Sequence, residues 1–358
     1  MPDVPANPRL LDGLVPAAVT TIGSMPGTDA RAAVATVVDT CASGDGVPHL
    51  PELPARGPGA DLVGRTTGLL AAVAPDFATE TTTTGWRFAD APGRDARRAR
   101  SWVGEDLDAF EEALQDYAGT VAVSLCGPWT LAASIELRGG ERAVRDPGAG
   151  RDLAAALAAA ALDHVADVRR RLPSARVTLW LDEPALPAVL HGEIPTSSGL
   201  GRIAAVDEPV AESGLRTVVD ALHAAGVPVV VHCCGARPPY ALLRRAGADG
   251  VSTDLLLHDR RDDDEVGELL DAGVALVAGV LPTRPPLSDV RASVDLVRDL
   301  GHRLGHGAEA IAAAVLVSPA CGLGASDPEH ARAVLRQLPA LGRGLREEEG
   351  GGGRAQGD

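Results

Sequence analysis

The chain has 358 residues, and 33 basic against 49 acidic side chains leave a formal charge of −16. Every basic residue is arginine, which excludes Schiff-base chemistry, lysine-anchored pyridoxal phosphate and a Gly-Lys phosphate loop. A pI near 5.0 argues against nucleic-acid and anionic-membrane partners, while 45% hydrophobic residues suffice for a full core. Along the chain, short apolar runs bounded by Gly, Pro and polar residues predict eight strands: Ala17–Ile22, Gly46–Leu50, Thr120–Leu125, Arg176–Leu181, Val227–Val231, Gly250–Asp254, Ala275–Val280 and Ala314–Val317. Helical periodicity predicts Thr28–Cys41, Asp61–Ala74, Glu105–Ala118, Trp129–Leu137, Arg151–Leu172, Pro209–Ala225, Pro239–Ala246, Asp263–Ala272 and Leu287–Leu304. A last helix, Asp327–Leu341, opens on Asp-Pro and is followed by Gly342.

This alternation predicts an α/β fold, a (β/α)8 TIM barrel, with a doubly wound open sheet as the structural alternative. Pro75–Val103 reads as a long excursion over the barrel mouth after the second strand, and Arg138–Gly150 as a polar loop. The expected organisation is one domain over residues 1–344 and a disordered tail over 345–358, rich in Gly and Glu. Met1–Val19 lacks a basic segment followed by an apolar stretch, so no signal peptide is expected. The longest apolar run, Leu153–Leu162, is too short to span a bilayer. Five scattered cysteines make no disulfide framework, which points to a reducing, cytoplasmic setting.

In a barrel the active site forms where strands end. Here those ends carry Thr21-Ile22-Gly23-Ser24, His49-Leu50-Pro51-Glu52, Cys126-Gly127-Pro128-Trp129-Thr130, Asp182-Glu183-Pro184, His232-Cys233-Cys234, Asp254 and Ser318-Pro319-Ala320-Cys321. His232 and Cys234, two apart in an extended segment, face the same way, and Cys321 can join them. That set suits zinc with an open fourth position, and Asp254 is a further candidate ligand. A Cys-Cys pair after a valine strand is equally well plain core. Asp182 or Glu183 can pair with a substrate ammonium, act as a base, or form a turn. The hydroxyls and N–H groups of Thr20–Ser24 can hold a carboxylate or simply open a helix. His49 and Glu52 fit a turn with surface polar groups. The remaining histidines (His164, His191, His223, His258, His302, His306 and His330) read as structural and without partners, and Asp259–Glu265 as a solvated helix start.

Taken in order, Thr-Ile-Gly-Ser-Met-Pro at 21–26, Gly-Pro-Trp-Thr at 127–130, Asp-Glu-Pro-Ala-Leu at 182–186, His-Cys-Cys at 232–234 and Pro-Ala-Cys-Gly-Leu at 319–323 carry a resemblance. The chain resembles the catalytic half of cobalamin-independent methionine synthase, in the uroporphyrinogen decarboxylase-like barrel superfamily, and is similar to its short stand-alone actinobacterial and archaeal forms. The likeness runs from Thr20 to about Leu341. It implies a zinc-dependent methyltransferase that activates homocysteine as a thiolate and forms methionine. The implied zinc ligands are His232, Cys234 and Cys321, with Asp254 where the family has glutamate. The implied homocysteine contacts are Ile22, Gly23 and Ser24 for the carboxylate, and Asp182 and Glu52 for the amino group, Asp182 also being the catalytic residue that orients the substrate.

The family's histidine after the seventh strand is absent, since that stretch reads Gly279-Val280-Leu281-Pro282-Thr283-Arg284. The implied methyl donor is a folate, a methylated corrinoid protein or a small methyl compound. Alternatives are methyl transfer to a coenzyme M-like thiol, a decarboxylase on the same barrel, and a zinc- or thiol-binding homologue without methyl transfer. Asp182 favours an α-amino thiol over a sulfonate, and the segment Met1–Ser24, with Arg9 as its one arginine, disfavours the decarboxylase.

Overall fold

Eight runs of Val, Leu, Ala and Ile, too short for helices and bounded by turn residues, form eight parallel strands in the computed structural model, which describes residues 9–41 and 46–347. They are β1 (Ala18–Thr20), β2 (Gly46–Val47), β3 (Thr120–Cys126), β4 (Arg176–Asp182), β5 (Val229–His232), β6 (Gly250–Asp254), β7 (Ala275–Leu281) and β8 (Val315–Pro319). Their spatial order is β2-β1-β8-β7-β6-β5-β4-β3. A parallel bridge from His49 to Ala122 joins the two outer strands, with Leu50 N–H donating to Ala122 O at 2.9 Å, so the sheet closes into the expected barrel. All seven residues of β3 and of β7 are buried, as parallel strands covered on both faces require.

Two apolar layers hold the barrel. Its lumen is filled by Ala18, Ile22, Val47, Ala122, Trp180, Val230, Ala275, Val277 and Leu316, and Leu10 packs at the start of β6. The second, larger cluster lies between strands and helices. With so few aromatics, Trp180 is the one aromatic side chain of this inner apolar cluster among the described residues.

Helix positions depart from expectation in instructive ways. The helix expected over Glu105–Ala118 runs over Arg94–Leu114, because its first turns are mostly charged and show little apolar periodicity. The segment expected as Trp129–Leu137 is a helix over Pro128–Ser134 followed by a short strand, Ile135–Glu136. That strand extends an antiparallel hairpin, Thr79–Thr82 with Gly85–Phe88, within the excursion after β2. Helices at Leu186–Leu190 and Ala308–Ala314 were not expected, the second being an alanine run continuous with β8. The final helix, Pro328–Arg346, continues past Leu341 with Pro339 inside it. Residues 348–358, most of the expected disordered tail, lie outside the described residues, as do residues 1–8 of the segment read for a signal peptide. No helix among the described residues is long and apolar enough to cross a membrane.

Candidate functional site

Because the strands are parallel, all their C-terminal ends open on one face, and the register sets which side chains meet there. Cys126 pairs with Asp182, Asp182 with His232, and His232 with Ser252 across β3 to β6. Cys321 arrives from the turn after β8. Its Sγ lies 3.2 Å from Cys234 Sγ and 3.6 Å from His232 Nε2. The donor atoms of His232, Cys234 and Cys321 lie within 4.8 Å of one another, the one such His/Cys/carboxylate group among the described residues. Tetrahedral zinc with ordinary bond lengths would set its nitrogen and sulfur ligands about 3.6 Å apart and two sulfurs about 3.8 Å apart. The set therefore fits a soft divalent ion after a small separation of the sulfurs.

Electrostatics favour the same use. The Cys234 hydrogen bond and then the His232 imidazole hold the Cys321 thiol down to about 4, while Cys321 and burial push Cys234 up. Burial works against a charged His232, but the Cys321 sulfur beside it raises its affinity for a proton. His232 Nδ1 meets Ser252 Oγ at 2.9 Å, which turns Nε2 toward the sulfurs. No local pattern singles out Ser252, whose strand reads Gly250-Val251-Ser252-Thr253-Asp254 and is polar over its last three residues. Asp254 itself stands outside the three-donor group, and its carboxylate accepts from Leu256 N–H at 2.9 Å.

Asp182 and Glu183 divide the roles that the sequence left open between them. Glu183 points outward and accepts three hydrogen bonds, from Trp129 N–H and Thr130 N–H at 2.8 Å and Thr130 Oγ1 at 2.7 Å, so it caps the helix after β3. Gly127 is required there, since a Cβ would sit 2.4 Å from Glu183 Oε1. Asp182 is buried, and its Oδ1 has no hydrogen-bond partner. Burial pushes its carboxyl well above the usual range, against the pull of His232. Such an orphaned oxygen asks for a donor.

Glu52 is also buried and is not a surface turn residue, a correction to the reading of His49–Glu52. Its Oε1 accepts from Ser124 Oγ at 3.0 Å and pairs with Arg65 Nε at 3.5 Å. His49 lies in the lumen beside Trp180, its Nδ1 bonded to Thr21 O at 3.1 Å, and burial lowers its pKa to about 3. The β1 exit is stitched to both neighbours. Glu52 N–H donates to Gly23 O, Met25 N–H to Glu52 O, and Leu323 N–H to Ser24 O at 2.7 Å. Ser24 Oγ accepts from Gly324 N–H at 3.2 Å. The N–H groups of Ile22, Gly23 and Ser24 donate to no described residue.

Several histidines read as partnerless have partners: His191 with Pro187 O, His223 with Asp249, His258 with Asp263, and His330 with Pro282 O at 2.9 Å. These contacts are tertiary or span a turn, beyond what spacing along one element reveals. The last places a histidine of the final helix at the exit of β7. In the run Asp259–Glu265, Asp263 is tied to Arg303 and opens the helix Asp263–Asp271.

Residues 17–342 match a family model described as the catalytic domain of cobalamin-independent synthase. A search of curated proteins found no match. Among solved structures, a B12-independent methionine synthase from Shewanella sp. W3-18-1, in complex with selenomethionine, is similar in fold. The likeness covers 93% of this chain and 98% of that one, at 12% identity and a TM-score of 0.59. A 2,3-dimethylmalate lyase of the PEP mutase/isocitrate lyase superfamily is 14% identical over 92% of this chain and 84% of its own, with a TM-score of 0.35. The YdjI aldolase from Escherichia coli K12 is 11% identical over 79% and 85%, with a TM-score of 0.29.

Proposed function

The chain belongs to the cobalamin-independent synthase catalytic-domain family, and from that premise we propose that it methylates the sulfur of homocysteine to give methionine, using zinc held by His232, Cys234 and Cys321. The observation that carries this reading is the convergence of those three donors beside a buried carboxylate with an unpartnered oxygen. Bound there, zinc supplies Lewis acidity that keeps a substrate thiol ionised near neutral pH.

The chain's own residues then orient the amino acid. Asp182 Oδ1 receives the ammonium group, which ends its isolation, and Glu52 receives it from the other side. The free N–H groups of Ile22, Gly23 and Ser24 receive the carboxylate. With both polar ends fixed, the sulfur is placed at the His232–Cys234–Cys321 cluster, and binding is converted into orientation. The substrate thiolate attacks the methyl group in line and displaces the donor: the new C–S bond forms as the methyl–donor bond breaks, and the electron pair of the broken bond stays with the donor. A folate or a methylated corrinoid protein is the donor we propose. Asp254, at the exit of β6, would be a further donor to the metal if its carboxylate left the Leu256 N–H that it now accepts from. A cytoplasmic site of action fits the free thiols.

The test is zinc per chain on purified protein, with X-ray absorption at the zinc edge before and after homocysteine is added. About one zinc that gains a sulfur neighbour is expected. No zinc in protein kept from chelators and oxidants would overturn the reading. Methionine formation with each donor class then separates the two donors.

A further inference from the structure

Arg65 is an arginine buried inside a helix, Leu62–Val73, whose other residues are apolar, Thr or Gly. Its guanidinium faces two carboxylates. Nε lies 3.5 Å from Glu52 Oε1, and NH1 is hydrogen-bonded to Asp106 Oδ2. The other Asp106 oxygen takes Arg56 NH1 at 2.8 Å, and Arg56 Nε donates to Thr28 O at 2.9 Å, in the loop that follows the β1 exit. Two guanidinium groups and two carboxylates thus form a buried cluster that is electrically neutral only while Glu52 is ionised. Ser124 Oγ and Arg65 both address Oε1, so Oε2 is left with no described partner.

We infer that Arg65 is a positioning residue: it fixes Glu52 as the second carboxylate that receives the substrate's ammonium group, and thereby makes the site select thiols carrying an α-amino group. This rests on the proposed contact between Glu52 and the amino group of homocysteine. The charged groups facing Glu52 are Arg65 and Asp61 from the helix after β2, Asp106 from the helix before β3, and Asp182 from β4. Burial pushes the Glu52 carboxyl upward, and Arg65 is the strongest influence opposing it. Removing the guanidinium therefore shifts Glu52 further toward its protonated form.

The experiment is titration calorimetry on zinc-loaded protein with homocysteine and with 4-mercaptobutyrate, which keeps the thiol and carboxylate but lacks the amine. Arg65→Met is expected to weaken homocysteine binding about tenfold or more at neutral pH. It should leave 4-mercaptobutyrate binding and zinc content unchanged. The loss should shrink as pH rises, because Glu52 then ionises without help. Glu52→Gln should show the same selective loss with no recovery at high pH, and the double variant should be no worse than Glu52→Gln. Equal weakening of both ligands by Arg65→Met, or full additivity in the double variant, overturns the role of Arg65. A Glu52→Gln protein that binds homocysteine like its parent overturns the underlying contact instead. If Arg65→Met fails to fold, Asp106→Asn decides. It loosens the clamp but keeps the guanidinium, so an absence of selective loss overturns the inference.

Discussion

The two halves of the barrel mouth differ in chemistry. The exits of β1 to β4 present carboxylates and backbone N–H groups: Asp182, Glu52 and the Ile22–Ser24 turn. The exits of β5 to β8 present imidazole and thiols: His232, Cys234 and Cys321. The halves touch twice, where Asp182 pairs in register with His232 and where Ser24 is bonded to the loop bearing Cys321. One half is suited to the charged ends of an amino acid and the other to its sulfur. Under the proposed function, the mouth would read a molecule by length, from ammonium to thiol.

Cutting each half separately tests this division. The largest expected effect is at the soft half: Cys321→Ser should take zinc from about one per chain to almost none and abolish methyl transfer, with the far-ultraviolet circular dichroism unchanged. An active, zinc-replete variant would sink the ligand assignment. On the hard half, Asp182→Asn should retain zinc yet weaken homocysteine binding about 10- to 100-fold, the worth of one charged hydrogen bond. Coincident loss of zinc in that variant would mean that the halves are not separable. Ser252→Ala frees the His232 ring and should lower zinc affinity about tenfold while sparing 4-mercaptobutyrate binding to the reloaded protein, read by competition with a chelator.

The smallest effect lies outside both halves. His164 is buried in the helix Pro147–Arg171 with its Nδ1 unpartnered, and burial lowers its pKa from 6.5 to about 4. Below pH 6.5 the unfolded chain takes up a proton that the folded one refuses. Stability therefore falls as pH drops toward 4, by about 2 kcal/mol at pH 5 from this one group. His164→Leu should move acid unfolding to lower pH, followed by tryptophan fluorescence. An unchanged midpoint would show that other groups set it.

The same contrast explains what could be read from the sequence. All eight strands were legible, since a fully buried parallel strand is an uninterrupted apolar run between turn residues. The helix beginning at Arg94 and the hairpin Thr79–Phe88 were not, because Arg-rich and Thr-rich segments carry little apolar periodicity. In the site, His232-Cys233-Cys234 stood out because it ends such a strand. Ser252, Ser124 and Arg65 are defined by partners 20, 72 and 13 positions away, which no local pattern encodes. Glu183 shows the limit from the other side: its neighbour Asp182 has the same chemistry, and only the alternation of the strand turns one inward and the other toward a helix end.

The hydrogen bond from Gly324 to Ser24 spans 300 residues. During synthesis His232 and Cys234 leave the ribosome well before Cys321, so a nascent chain holds two donors without the third and a first loop bonded only on its Glu52 side. The pocket is completed only when the last tenth of the chain folds back on the first. Any product cut short before residue 321 thus lacks both the third sulfur or nitrogen donor of the cluster and the bonds by which Leu323 and Gly324 hold Ser24.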